Sequence, residues 1–283
     1  MKSYRQKWQG VFFIIPSLVG VIAFVLFPFL DVIRRSFISA VNNQWMGLGN
    51  YRLIFQNDAY KLAIQNTLKF IGICIPVLFI LSLFIATILF RQTRWVQGIK
   101  SAFLMPMAIP VASIVLVWNM LFDHNGMLNG FLSLFGKEAV DWMNTPYAFG
   151  ILMGSYLWKN LGYNIILWLA GMVCIPTNYY EAAKVDGAGK WKCFFYITLP
   201  SLFPSMYVIA ILSLLNSFKV FREIYLVAGN YPHDSIYMLQ HLMNNWFRDL
   251  ALDKMAATAV VNALAILALM LILRKVWKAE DSI

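Results

Sequence analysis

The sequence predicts an all-α, polytopic membrane protein with six transmembrane helices. Three observations carry that expectation. Of the 283 residues, 60% are hydrophobic and only 13% charged, with a mean hydropathy of +0.66. A water-soluble domain of this length needs more charge to cover its surface, whereas lipid accepts apolar side chains. Six stretches approach the roughly 20 apolar residues that a helical crossing requires. Lys and Arg also favour alternate connections between those stretches, the asymmetry that orients a membrane protein. The formal net charge of +10 does not point to nucleic acid, because the basic residues sit in short segments between apolar runs rather than on one polar face. It fits contact with anionic headgroups of membrane lipids instead.

The stretches are residues 11–33, 64–90, 102–122, 147–173, 202–220 and 255–273, the fifth fading into 224–227. A basic start, Met1 to Lys7, precedes the first. It resembles a signal peptide, but the apolar run exceeds the usual ~7–15-residue core and no small-x-small cleavage site follows, so a retained span is expected. Pro16, Pro28, Pro76, Pro106 and Pro110 lie within the spans. Each removes a backbone donor and invites a kink. Packing geometry accounts for most of them, but the Pro106–Pro110 pair favours a bent, cavity-lining third helix.

An even span count places four basic segments on one side: Lys2, Arg5 and Lys7; Arg91, Arg94 and Lys100; Lys184, Lys190 and Lys192; and Arg274, Lys275 and Lys278. That side is expected to be cytoplasmic, with both termini on it. The opposite segments mix both signs, with Arg222 and Glu223 expected there. Cys74, Cys174 and Cys193 have no metal spacing and read as reduced thiols. His124, His233 and His241 fall in external segments at spacings that fit no common ligand set, so no metal site is expected. Aspartates are scattered rather than clustered, which assigns no catalytic residue and argues against a membrane-embedded enzyme. A GxxxxGK[ST] loop is missing, so the chain does not bind ATP that way.

Ionisable groups inside a span cost about 2.5–3.5 kcal/mol and are functional candidates by default. Lys159 lies midway along the fourth stretch, too deep for easy snorkelling. Tyr156, Lys159 or Asn160, and Tyr163 recur at helical spacing with Asn164 adjacent, while Ser213, Asn216, Ser217 and Val220 form a comparable face on the fifth. Interhelical hydrogen bonding uses the same residue types. For Lys159, pairing with a partner subunit's carboxylate and contact with a solute stand as alternatives; solute contact favours an acidic sugar.

The connection between the fourth and fifth stretches is the most informative segment. Thr177 or Asn178 is expected to cap a helix with Glu181 in its first turns, and Glu181-Ala182-Ala183-Lys184 is helix-forming. Gly187 suits a left-handed C-cap. A second amphipathic segment follows with Trp191, Phe194, Phe195 and Ile197, expected to end at Pro200.

This segment resembles the EAA loop of permease subunits of ABC-type sugar importers, the binding-protein-dependent transport inner-membrane components. The pattern of Glu-Ala-Ala, three residues, Gly, nine residues, Ile, one residue, Leu-Pro falls on Glu181, Ala182, Ala183, Gly187, Ile197, Leu199 and Pro200. The form with Asp186 and Gly187 is similar to the sugar branch. Further likeness lies at Pro28, Ser36-Phe37, Gly49-Asn50-Tyr51, Asn66-Thr67, Trp118, Gly126, Asn129, Trp158, Gly162, Ala170-Gly171 and Pro176, while Asn230-Tyr231-Pro232 departs from a common Gly-Gly-Pro.

The resemblance implies a type I ABC importer permease fold, with an N-terminal helix and external loop over residues 1–60 and a five-helix permease core over 61–277. It implies that Glu181, Ala182, Ala183, Asp186, Gly187 and Phe194 form a cytoplasmic coupling helix docked on an ATPase subunit. It implies a solute site on the faces carrying Tyr156, Lys159, Asn160, Tyr163, Ser213, Asn216, Ser217 and Val220. The chain itself then needs no cofactor, since ATP and magnesium belong to two separate ATP-binding-cassette subunits. The other implied partners are a second, related permease, an extracellular or periplasmic solute-binding protein received on segments 123–146 and 222–254, and a sugar carried by alternating access. The location implied is a prokaryotic cell membrane. An amino acid, phosphate or polyamine is the alternative cargo.

Overall fold

A computed structural model describes residues 14–90 and 96–280, with side chains over 14–90 and 102–275. Residues 11–13 of the first expected span, the basic N-terminal segment, Arg91 and Arg94 lie outside the described residues. Among the described residues the regular structure is helical, with one isolated bridge between Ile38 and Trp45.

Four helices are long and apolar enough to cross a membrane: Ile14–Arg35 (α1), Asp58–Phe90, Phe203–Ala228 and Leu252–Lys275. Two bent pairs raise the number to six when each counts as one crossing. α1 passes through Pro28 without breaking. A π-helical turn, Ile22–Leu26, comes just before it, and the Phe27 amide donates to the Ile22 carbonyl. That wider turn relieves the clash a proline ring makes with the carbonyl one turn back.

The described residues fall into two compact units. In the first, residues 14–61 and 242–267, α2 (Gly49–Gln56) is tied to the chain ahead of it. The buried Asn50 amide donates to the carbonyls of Ser36 and Ile38, both at 3.0 Å. The Ser36 and Tyr51 hydroxyls meet at 2.7 Å, and Phe37 stacks on Trp45. The residue types at 36–37 and 49–51 thus hold one loop shut.

The second unit, residues 62–241 with 268–280, contains the rest: α3 (Asp58–Phe90, its first turn aside), α4 (Val96–Ala108), α5 (Val111–Phe122), α6 (Met127–Ser133), α7 (Tyr147–Val173), α8 (Thr177–Val185), α9 (Lys190–Cys193) and α10 (Phe203–Ala228). α7 is its axis. One end packs Leu152 and Tyr156 with Phe70, Cys74, Trp118 and Ile224; the other packs Ile165, Trp168 and Met172 with Ala86, Leu202 and Ile209. The Trp168 indole donates to the Ser82 hydroxyl at 3.0 Å, so its buried N–H is satisfied. Gly162 lies against the Phe103 carbonyl so closely that any Cβ would overlap it, which lets α4 and α7 touch backbone to backbone.

The third crossing is broken as its prolines predict. Residues 102–108 and 111–133 meet at 94° across Ile109 and Pro110. Past that bend, Asn129 holds the following loop: its amide nitrogen donates to the Val140 carbonyl at 2.8 Å and its oxygen accepts from the Val140 amide and the Trp142 indole. Asn66 and Thr67 act alike at the start of the second crossing. Asn66 donates to the Tyr237 carbonyl at 2.9 Å, and the Leu239 amide donates to Thr67 Oγ1 at 3.0 Å. The fifth crossing is longer than its hydropathy predicts. Helix continues through a 3-10 turn, Phe218–Val220, to Ala228. Arg222 and Glu223 therefore belong to the span rather than to an external segment.

Candidate functional site

α7 and α10 pack side by side, and between them lies a polar cavity of about 190 Å³. Tyr156, Lys159 and Asn160 line it from α7; Asn216, Lys219, Val220 and Glu223 line it from α10, and Met107 closes it from α4. At its wall the Lys159 ammonium donates to a Glu223 carboxylate oxygen at 2.5 Å, with side chains only 18% and 4% exposed. The carboxylate that neutralises Lys159 thus comes from the same chain, not from another subunit. A charge withdrawn from water requires a close opposite charge, and here the two crossings supply one each.

The other residues on the two predicted faces divide by role. Tyr156 donates through its hydroxyl to the Ser213 carbonyl at 2.8 Å, and Asn164 donates to the Ser213 hydroxyl at 2.9 Å. Ser217 donates to the Leu214 carbonyl at 2.6 Å. Ser213 and Ser217 are buried and, like Tyr163, are not part of the cavity wall. Asn160 donates to the Tyr156 carbonyl at 2.9 Å, which leaves its carbonyl oxygen and a second amide hydrogen to offer a ligand. Lys219 and Glu223 line the cavity beyond the two faces that residue spacing singles out. Their signal was present: Asn216, Lys219, Val220 and Glu223 recur at three- and four-residue spacing, but a span ending at 220 hides the last of them.

On the other end of α7 the chain turns by 69° into α8. Thr177 and Asn178 do not cap this helix. Pro176 takes the N-cap position with an extended backbone, and no side-chain cap bond forms. Proline fixes its own φ there and has no donor to lose, so it starts the helix by backbone geometry alone. The C-terminus follows the expectation. Gly187 has φ +73°, its amide donates to the Lys184 carbonyl at 3.1 Å, and the Ala188 amide donates to Ala183 at 2.8 Å. Those paired bonds form a Schellman cap, whose left-handed residue favours glycine. No residue of α8 is buried; Glu181, Ala182, Asp186 and Gly187 are exposed and Ala183 is half-buried.

α9 then runs into a π-helical turn, Phe194–Thr198, and on to Ser201. Pro200 does not end the segment. The Leu199 amide donates to Phe194 across the wide turn, the same device that carries α1 through Pro28. Phe194 packs edge-on to Phe195, which stacks with Trp191; Trp191 and Tyr196 are 77% and 80% exposed. The loop therefore presents an uncovered apolar surface beside an exposed helix that carries Glu181.

Among the described residues no group of three or more His, Cys, Asp or Glu is placed to hold a metal. His241, expected in an external segment, is fully buried outside the crossings, in a helix Leu239–Arg248 (α11), where its Nδ1 accepts from the Met238 amide at 3.2 Å. Burial lowers its pKa to about 4.

Apolar crossings in the second unit enclose a charged polar cavity, an arrangement suited to a solute-translocating membrane subunit. The chain belongs to the family of binding-protein-dependent transport system inner membrane components, whose family model matches residues 78–276. It is 28% identical to the trehalose/maltose transport system permease protein MalF of Thermococcus litoralis, over 87% of this chain and 85% of that one. It is 31% identical to a probable ABC transporter permease of Pyrococcus horikoshii, over 91% and 94% of the two chains. The sulfoquinovosyl glycerol transport system permease protein SmoG of Agrobacterium fabrum is 28% identical over 89% of this chain and 84% of its own. The fold is shared with a chain of a bacterial alginate ABC transporter, solved in complex with its alginate pentasaccharide-bound periplasmic protein. That match has a TM-score of 0.82 at 21% identity, and covers 96% of this chain and 94% of that one. The chain is thus an inner-membrane permease component of an ABC importer, a translocation subunit rather than an enzyme.

Proposed function

We propose that this permease carries a sugar or oligosaccharide across a prokaryotic cell membrane by alternating access, with both termini in the cytoplasm. The cavity between α7 and α10 is the observation that carries the cargo assignment. Asn160 and Asn216 supply amide groups, and Lys159 and Lys219 ammonium groups, beside the apolar faces of Val220 and Met107. A polyhydroxylated ring needs that mixture of donors, acceptors and apolar contact. The relatives named for trehalose/maltose and sulfoquinovosyl glycerol support a sugar over an amino acid or a polyamine.

The chain works beside a second, related permease and two ATP-binding-cassette subunits, and an external binding protein delivers the solute. α8 is the coupling helix. Its exposed Glu181 and the uncovered Trp191–Phe195–Tyr196 surface suit an ATPase groove with a basic residue at its edge. Closure of the ATPase pair then moves α7 and α10 as packed bodies. ATP and magnesium stay with those subunits.

The test is uptake by the assembled transporter in proteoliposomes, with its own binding protein and a panel of saccharides, amino acids, inorganic phosphate and polyamines. ATP-dependent accumulation of a saccharide alone is the expected result. Accumulation of an amino acid, phosphate or polyamine in its place refutes the cargo. ATPase rates that ignore the binding protein after Glu181→Ala support the coupling role, and an unchanged response refutes it.

A further inference from the structure

The cavity holds two ammonium groups and one carboxylate. Lys159 is committed to Glu223. Lys219 lines the same cavity, and its Nζ donates to the Asn216 carbonyl oxygen at 2.8 Å. That partner is neutral. Among the described residues no carboxylate lies within ion-pair distance of Lys219. The pocket therefore carries an uncompensated positive charge.

Lys219 also sits where such a charge is costly. It lies nine residues before the end of the crossing Phe203–Ala228, roughly 13 Å along the axis at 1.5 Å per residue. A lysine stem does not span that depth to reach the headgroups, so snorkelling does not relieve it. An ionised side chain in the middle of a span is retained where it faces a water-filled path and meets a partner there. Glu223, one turn further along the same helix, is the nearest carboxylate by sequence spacing. It is turned away to Lys159 and almost wholly buried. The Lys159–Glu223 pair thereby takes up the carboxylate that would otherwise neutralise Lys219.

We propose that Lys219 is a solute-binding cation and that the transported sugar carries an anionic oxygen group, such as a uronate carboxylate, a sulfonate or a phosphate. Asn216 holds the ammonium toward the cavity, and Asn160 lies on the opposite wall for the hydroxyls. The anionic group completes the charge balance only while solute is bound, so the pocket discriminates against neutral sugars by leaving Lys219 unpaired. This rests on the sugar-permease reading above and narrows it.

The experiment is competitive uptake by the complete transporter in proteoliposomes with its binding protein. The probe is an equimolar mixture of neutral maltotriose and galactotriose with trigalacturonate, a sulfoquinovosyl glycoside and a hexose phosphate, read by mass spectrometry of the lumen. Anionic members are expected to accumulate at least tenfold over neutral ones. Lys219→Gln is expected to cut anionic uptake about tenfold or more, the scale of one lost hydrogen bond to a charged group. Lys219→Arg is expected to keep most of it, and co-purification with the ATPase subunits verifies that each variant assembles. Preferential uptake of the neutral trisaccharides by the unaltered transporter overturns the proposal while the sugar reading stands. So does a Lys219→Gln complex that assembles and keeps the anionic preference. Uptake of no saccharide at all, with an amino acid carried instead, overturns the sugar reading itself and this inference with it.

Discussion

Lys159 on α7 and Glu223 on α10 close a 2.5 Å ion pair between two adjacent crossings. Removing one partner leaves the other charged, buried and unmatched, which costs about 3–5 kcal/mol. Glu223→Gln and Lys159→Met are each expected to lower the thermal stability of the purified complex by that order. The double variant Lys159→Met/Glu223→Leu is expected to lose much less than the sum. A double-mutant cycle by thermal unfolding in detergent reads the coupling, and additive losses would show that the pair is not energetically linked.

Gly162 and Gly150 lie on the same helix in opposite circumstances. A Cβ at Gly162 overlaps the Phe103 carbonyl, whereas one at Gly150 meets nothing within 4 Å. Gly162→Ala is expected to force α4 off α7 at a cost of about 1–3 kcal/mol. Gly150→Ala is expected to be neutral or to stabilise by up to about 1 kcal/mol, since alanine favours helix. Melting temperatures of the two variants, compared side by side, check both.

Gly187 holds φ +73° at the end of α8. A side chain there adds about 1–2 kcal/mol of backbone strain without any steric clash, because nothing lies within 4 Å of its Cβ position. Gly187→Ala is therefore expected to leave the bundle's melting temperature nearly unchanged while weakening assembly with the ATPase subunits about fivefold or more. Gly187→Asn, which tolerates the left-handed region, is expected to restore part of it. Titration of ATPase subunits onto permease pairs measures both.

His241 is buried, and burial holds its pKa near 4 against an ordinary 6.5. The unfolded chain thus binds more protons between those values, and stability falls as pH drops. The contribution is intact above pH 6.5 and declines as pH falls through about 4, with about 2 kcal/mol lost by pH 5. His241→Gln keeps an acceptor for the Met238 amide and is expected to flatten that part of the profile. Thermal unfolding at pH 7.5, 6 and 5 reads the slope; an equal slope in the variant would assign the pH dependence elsewhere.

Much of the bundle was legible in residue order because hydropathy is local. The long apolar run ending at Phe90, the Pro106–Pro110 bend and the left-handed Gly187 each depend on a few neighbouring residues. Elsewhere local signals compete with wider geometry. Thr177 is a good capping residue, but Pro176 had already set the helix start. Pro200 normally ends a helix, but a π-helical turn carries the chain past it. Arg222 and Glu223 lower hydropathy enough to suggest water, yet the helix continues because Glu223 has Lys159 to meet.

Residue order alone determined that this chain crosses a membrane several times, where it bends, and which loop carries the family's motif. Those properties follow from composition, periodicity and backbone preference within a turn or two. Folding decided which polar groups face one another: that Glu223 pairs with Lys159 across 64 positions, that Ser213 is occupied by Tyr156 and Asn164, and that Lys219 is left facing the cavity with only an amide beside it. Charge balance in a low-dielectric interior is set by distances of a few ångströms between helices, and helical packing alone fixes those distances.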